Sequence, residues 1–306
     1  MQQDNRLKTT ICGVEFSSPI IGASGTFGYG LEYSPIFDLN KVGGISVKGL
    51  SLHPHDGNPM PRIRETTAGM LNAIGLQNVG VEAFLRDKLP FLRKYSCRII
   101  ANFWGKTLEE YVQTAEILDK SNLDMLEMNI SCPNVKAGGI LFTSHPDKTR
   151  EVVKAVRKVV KNTPLIVKLS PNVTDIKAYA KVCEEEGADA IAAINTLVGM
   201  AINIKTRKPY LANVTGGLSG PAIKPVGIRA VSEIYRTVKI PIIGIGGITN
   251  HEDVVEYFLA GAQAVQVGTA NFVNNSAIPE MTESLNKYCE ENNINNISEL
   301  TGGVIL

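Results

Sequence analysis

Eight short apolar runs recur along the chain, each followed by a stretch with helical spacing. They are PIIGASG (19–25), GGISVKGL (43–50), CRIIANFWG (97–105), DMLEMNIS (124–131), LIVKLSP (165–171), AIAAINT (190–196), IPIIGIGGI (240–248) and AVQVGTA (264–270). The runs are continuously apolar rather than alternating, as expected of parallel strands buried on both faces. Between them, Leu108, Tyr111, Val112, Ala115 and Leu118 share one helical face, as do Ile228, Val231, Ile234, Tyr235 and Val238. Thr107 with Glu110 predicts a capping box, Thr174 and Asn250 stand at N-cap positions, and His145 and His251 read as helix starts. Gly187 and Gly261 fall just past helix ends. Strand–helix alternation repeated eight times predicts an α/β protein, a (β/α)8 TIM barrel in a single domain over 1–306, rather than an open doubly wound sheet. The leading KTTICGVEF predicts a small hairpin capping the barrel floor. Three connections, 51–77, 132–146 and 197–223, are long loops. In a barrel they lie at the C-terminal face, where active sites are built.

Composition narrows the function classes. With 44% hydrophobic residues there is material for a full core, and 31 Lys plus Arg against 30 Asp plus Glu leave a net charge of +1. That balance gives no reason to expect nucleic acid or an anionic membrane as partner. The opening MQQDNRLKTT is polar, without the apolar region of a secretory signal, and the apolar runs are far shorter than the roughly 20 residues of a spanning helix. A soluble, cytoplasmic protein is expected. The five cysteines, Cys12, Cys97, Cys132, Cys183 and Cys289, form no CxxC pair, which speaks against disulfides and against zinc or iron–sulfur in this chain.

The ends of the strands carry the chemistry. Gly246-Gly247 and Gly268-Thr269 end the seventh and eighth runs, where such barrels cradle a phosphate on backbone N–H groups; Gly220 could close the same site. Lys48 and Lys168 lie in or beside apolar strands, a costly placement unless the charge meets an anion. Two such lysines beside a phosphate site fit best with stabilising the negative charge that builds on a reduced flavin ring; a Schiff-base lysine and a structural ion pair are the alternatives, the ion pair fitting Lys168 less well than Lys48. Asn72, Asn102, Asn129, Asn134 and Asn195 recur at strand ends and would offer fixed donors and acceptors to a planar, carbonyl-rich ring. Asn78 reads equally well as a helix cap. Cys132, in NISCPN, sits among polar neighbours before a proline, a setting for a base acting on a C–H bond beside a carbonyl. The other four cysteines read as structural. His53 and His55 read as solvated loop residues, and no metal is expected.

Taken together and in order, SVKGL, NAIGLQN, NISCPNVKAGG, IVKLSPN, IAAINT, GIGGI and VQVGTA resemble the dihydroorotate dehydrogenase family over nearly the whole chain, from about Gly22 to Ala270. The resemblance implies FMN, held by its phosphate at the glycines above. It implies an orotate site lined by Lys48, Asn72, Ala73, Asn129, Asn134, Asn195 and Thr196, with backbone from Ile74, Gly75 and Leu76. Ser24, Lys48, Gly49, Asn102, Asn129, Lys168 and Ile194 would contact the flavin. Cysteine at 132 resembles the class 1 enzymes, and NVKAGG after the proline resembles class 1B. Class 1B implies a smaller FAD and [2Fe–2S] partner subunit that passes electrons to NAD+, around a homodimeric core. It implies oxidation of dihydroorotate to orotate in pyrimidine biosynthesis, with Cys132 as base. Three alternatives stay open at this point: a class 1A, fumarate-linked enzyme; a non-redox phosphate-barrel lyase using Lys168; and a silent flavin-binding scaffold.

Overall fold

The structure is a computed structural model that describes residues 5–130 and 142–305. The chain opens with an antiparallel hairpin, β1 (Thr9–Ile11) and β2 (Val14–Phe16), followed by β3 (Ile20–Gly22) and β4 (Gly44–Ser46). Then come β5 (Ile63–Thr66), β6 (Gly69–Asn72), β7 (Arg98–Phe103), β8 (Met125–Asn129), β9 (Leu165–Leu169) and β10 (Ala190–Ala193). β11 (Leu197–Met200), β12 (Ile202–Asn203), β13 (Lys208–Pro209), β14 (Thr215–Ser219), β15 (Ile242–Ile245) and β16 (Ala264–Val267) complete the set. Eight of these close in chain order into a parallel barrel, β3-β4-β7-β8-β9-β10-β15-β16. Each of the eight apolar runs supplies one barrel strand, so the fold is the expected (β/α)8 barrel.

Helices cover the outside, among them Leu108–Asp119, Pro146–Val159, Ile176–Glu185, Lys224–Tyr235, His251–Ala260 and Ala277–Glu291. Their apolar faces pack against the outward side chains of the strands in one large core. Inside the barrel, Ile21, Ile100, Met125, Ile166, Ala192, Ile243 and Ala264 form a separate apolar layer. The hairpin closes this layer from below: Ile11 and Phe16 are fully buried in it. The expected floor cap is therefore a plug whose side chains belong to the barrel interior.

Several local expectations need correction. Thr107 accepts from Glu110 N (3.3 Å), but the Glu110 carboxylate accepts from Lys106 N (2.7 Å), one residue short of a reciprocal box. Asp175, not Thr174, caps Ile176–Glu185 by accepting from Lys177 N (3.1 Å); its carboxylate reaches the free N–H that the threonine hydroxyl was expected to meet. Asn250 does form a full capping box with Asp253, and Gly187 and Gly261 are left-handed at helix ends (φ 86° and 116°). Tyr235 turns to solvent instead of joining its helix's buried face.

The largest departure concerns two of the long loops. Residues 51–77 and 197–223 contribute strands to one antiparallel sheet, β11-β14-β6-β5, in which Asn72 pairs with Gly217 and Leu197 with Leu218. These strands are short and mostly half-exposed, so no buried apolar run marks them. Their partners also lie far apart in sequence. Within the same loops Asn78 is a clamp rather than a cap: it accepts from Ser51 N and Gly80 N and donates to Ser51 Oγ and Leu76 O.

The plug gives a direct test. Phe16→Ala removes a fully buried ring from a site closed on all sides, and a loss of about 3–5 kcal/mol is expected. Urea unfolding checks it; a loss below about 1 kcal/mol would mean that the hairpin is dispensable to the barrel.

Candidate active site

Side chains two apart on a strand point the same way, so the interior can be read upward in steps of two. Above the apolar layer the next inward residues are Ser46 on β4, Asn102 on β7, Glu127 on β8, Lys168 on β9 and Gln266 on β16. All five are buried. They form one network centred on Glu127, whose Oε1 accepts from Ser46 Oγ (3.0 Å) and Asn102 Nδ2 (2.5 Å). Gln266 Nε2 donates to the other oxygen, and Lys168 Nζ stands 3.8 Å from Oε1. Both carboxylate oxygens thus face donors, the arrangement that lets a buried charge persist. Lys168 also donates to Ser24 Oγ (3.3 Å).

One step higher the interior opens into a cleft at the C-terminal ends of the strands, roofed on one side by the antiparallel sheet. Lys48, Asn129 and Gly268, each two residues beyond a member of the polar layer, line it. So do Ser24, Gly49, Asn72, Ile74, Gly75 and Leu76. Asn102, Lys168, Ile194, Asn195, Thr196 and Gly220 lie along the same walls, and the turns Gly246-Gly247 and Gly268-Thr269 meet at one end. Asn195 Nδ2 donates to Asn129 Oδ1 (3.3 Å), Tyr111 holds the Asn129 carbonyl (2.7 Å), and Asn72 Nδ2 donates to Gly217 O (3.4 Å). The carboxamides from strands far apart in sequence therefore share one space.

Ala73 is the exception among the described candidates. Its side chain packs with Leu71 and Leu211, its N–H donates to Arg62 O (2.7 Å) and its carbonyl accepts from Asn58 Nδ2 (3.0 Å), so it is committed to the sheet and not to the cleft. Cys132 and Asn134 lie outside the described residues. The other thiols do different work. Cys12 donates to Asp189 O (3.2 Å) at the barrel floor, and burial raises its thiol to about 12; burial raises Cys97 to about 11 and pushes Cys183 up as well.

The ion pair falls on the lysine for which the sequence favoured it less: Lys168 faces the buried carboxylate of Glu127 at 3.8 Å, whereas among the described residues no ion pair within 4.0 Å involves Lys48. Burial lowers the Lys48 ammonium below the usual lysine range, partly offset by Glu32. His55 is not simply solvated: its Nδ1 accepts from Gly57 N (3.1 Å) and its ring stands edge-on to Trp104. Sequence reasoning passed over Glu127, Ser46 and Gln266, although a carboxylate inside DMLEMN carries the same burial cost that drew notice to Lys168. It also passed over cleft residues on the loops, including Thr26, Met70, Gln77, Ser219, Thr249 and Phe272, which carry no signal without the fold.

The donor set suits a flavin mononucleotide. Carboxamides, a hydroxyl and a lysine at the cleft floor match a planar ring rich in carbonyls, and the turns at one end leave room for a phosphate. Two of the cleft's glycines leave no space for a side chain: a Cβ on Gly49 would fall 2.8 Å from Asn102 Oδ1, and one on Gly247 2.6 Å from Lys224 N. Among the described residues no three metal-ligating side chains cluster, and no helix is long and apolar enough to cross a membrane.

Comparison with known proteins points the same way. A family model described as dihydroorotate dehydrogenase matches residues 6–288. The chain is 54% identical over 300 residues to the catalytic subunit of dihydroorotate dehydrogenase B (NAD(+)) from Geotalea uraniireducens, covering 98% of each chain. It is 53% identical over 297 residues to the protein of the same name from Thermodesulfovibrio yellowstonii, covering 97% of this chain and 98% of the relative. In fold it is similar to DHODH from Eimeria tenella, solved in complex with ferulenol, with a TM-score of 0.81 at 23% identity over 99% of this chain and 89% of the other.

Breaking a buried pair strands a charge, so Lys168→Met is expected to cost the protein about 3 kcal/mol. Replacing Glu127 by Gln in the same chain should recover part of that loss. Denaturant titrations of the single and double variants check the coupling; a Lys168→Met protein as stable as the parent would mean that the pair contributes nothing to stability.

Proposed function

The chain belongs to the dihydroorotate dehydrogenase family, and from that premise we propose that it is the catalytic subunit of an NAD+-linked class 1B enzyme that oxidises dihydroorotate to orotate. The observation that carries the reading is the meeting of two lysines, four carboxamides and two glycine turns in one cleft. FMN is the proposed cofactor, with its phosphate at Gly220, Gly246-Gly247 and Gly268-Thr269 and its ring against Ser24, Gly49, Asn102, Lys168 and Ile194. When bound, FMN supplies the two-electron acceptor for the C6–H bond of the substrate.

The chain's own residues do the rest. Lys48 offers its ammonium to the substrate carboxylate, since among the described residues no ion pair involves it. Asn72, Asn129, Asn134, Asn195 and Thr196, with backbone from Ile74 to Leu76, hold the ring amides and carbonyls in the plane needed for reaction. Cys132, three residues past Asn129, takes the C5 proton as the C5=C6 double bond forms. The four other thiols support that assignment, because each is tied into the core or the barrel floor. Lys168 Nζ stands 3.8 Å from Glu127 Oε1 at the cleft floor, a structural partner that accounts for a lysine in this place without a Schiff-base role. That arrangement removes the reason to propose a lyase, and the NAD(+) in the relatives' names favours class 1B over a fumarate-linked enzyme.

A smaller FAD and [2Fe–2S] subunit is the proposed route to NAD+, around a homodimer of this chain. The relatives' designation as catalytic subunits supports a partner. Free thiols at Cys12, Cys97, Cys183 and Cys289 fit a reducing cytoplasm.

Two measurements test the mechanism. Cys132→Ala should bind FMN yet reduce it with dihydroorotate at least roughly 100-fold more slowly at neutral pH, while Cys132→Ser should recover at high pH. Near-parental rates in the alanine variant would remove Cys132 as the base. The second concerns Lys48. Its charge favours the bound anion and is lost as pH rises through a value already lowered by burial, so orotate affinity should fall at a pH below that of an ordinary lysine. Lys48→Gln should weaken orotate about tenfold or more and abolish that alkaline loss, as read by spectral titration of the flavin; an unchanged pH profile would rule out the contact.

A further inference from the structure

Two fully buried side chains stand behind the glycine turns. Tyr257, on the helix His251–Ala260, donates its hydroxyl to the carbonyl of Gly246 (2.7 Å) and lies 3.2 Å from that of Ile245. Asn271, in the short helix Ala270–Val273, donates Nδ2 to the carbonyls of Val267 (2.9 Å) and Gly268 (3.1 Å). The peptides involved are trans, and a trans peptide points its N–H opposite to its C=O. Carbonyls drawn back into the protein therefore turn the following N–H groups forward. At the first turn this is Gly247; at the second it is Gly268 and Thr269. All three residues line the cleft.

The fold makes room for this arrangement. A Cβ on Gly244 would fall 2.3 Å from Tyr257 Cδ1, and one on Gly227 1.9 Å from its hydroxyl oxygen. Two glycines, on a strand and on a neighbouring helix, are thus required for the tyrosine to reach the strand end. Burial holds the phenol in its protonated, donating form. Asn271 holds its two carbonyls at a cost: its Oδ1 is buried with no hydrogen-bond partner among the described residues.

We propose that Tyr257 and Asn271 are positioning residues for a phosphate, fixing the peptide planes of both turns so that the N–H groups of Gly247, Gly268 and Thr269 face the anion before it binds. The inference rests on the reading that FMN docks its phosphate at these turns. It assigns part of the preorganisation of the cradle to two buried side chains, beside the backbone N–H groups of Ala23 and Asn271, which donate to the Val267 and Gly268 carbonyls (2.9 and 3.0 Å).

The test compares FMN with riboflavin, which lacks the phosphate, by fluorescence titration of the flavin-stripped protein. The parent protein should prefer FMN strongly. Tyr257→Phe and Asn271→Leu, each keeping nearly the original shape, should each weaken FMN about tenfold, the order of effect of losing hydrogen bonds to buried carbonyls. Riboflavin affinity should stay within about twofold, because a purely structural defect would weaken both flavins alike. Equal losses for the two flavins, or an unchanged preference in both variants, would overturn the proposal. A parent protein without FMN preference would refute the phosphate reading itself and the inference with it. Should Tyr257→Phe not fold, Asn271→Leu decides, since it acts on the other strand and the other turn.

Discussion

A barrel strand turns every second side chain inward, and that spacing joins the floor, the charged layer and the cleft into one column. From Met125 the column on β8 rises to Glu127 and Asn129; from Ile166 on β9 it rises to Lys168. On β16 it runs from Ala264 through Gln266 to Gly268. A one-residue slip in any of these strands would exchange its inward and outward sets, burying the wrong groups on both sides. The hairpin plug, the outer helices and the closed hydrogen-bond ladder all act to hold that register. Position in the cleft is therefore fixed by packing deep in the barrel, not by the loops that surround it.

Glu127 is the part of this column with no freedom. Its oxygens collect donors from β4, β7 and β16 as well as facing Lys168 on β9, so it ties four strands to one carboxylate. Alone it would be intolerable in so dry a place; with four donors around it, the charge is balanced and directional. The consequence reaches upward. Asn102 and Lys168 face both Glu127 and the cleft, so their donor atoms are oriented from below before any ligand arrives. Lys48 has no such anchor among the described residues, and burial disfavours its charge, as suits the proposed contact with a substrate anion.

The barrel was legible in the sequence because its strands are continuous apolar runs and its helices carry complete local signals; the Asn250–Asp253 capping box and the left-handed Gly261 need only a few neighbouring residues to be recognised. Legibility stopped where structure depends on distant partners. The sheet joining β6 to β14 pairs Asn72 with Gly217, and nothing near either residue announces the other. The same holds for Glu127, whose tolerance in an apolar strand is explained only by Ser46, Asn102, Lys168 and Gln266 together. Lys168 was correctly marked as a charge in need of a partner, yet the partner is a protein carboxylate, and local reading had no means of supplying it. Ala73 shows the converse: it belongs to a contiguous motif, yet its N–H and carbonyl are taken by Arg62 and Asn58, and the motif alone does not show that.

That difference follows from what each kind of residue is asked to do. The glycines and carboxamides proposed to meet a ligand sit at strand ends, where short motifs expose them. The side chains that aim those groups lie behind them and bond to carbonyls or to one another. Tyr257 reaches the Gly246 carbonyl only because Gly227 and Gly244 leave it space, a relation among helix, strand and turn that exists in three dimensions alone. A ligand site of this kind has a visible front, written in short recurring motifs, and a hidden back that must be rigid for the front to work. Hydrogen bonds confined to buried, fully packed side chains supply that rigidity at little entropic cost, because Tyr257 and Asn271 are already immobilised by the core they stand in.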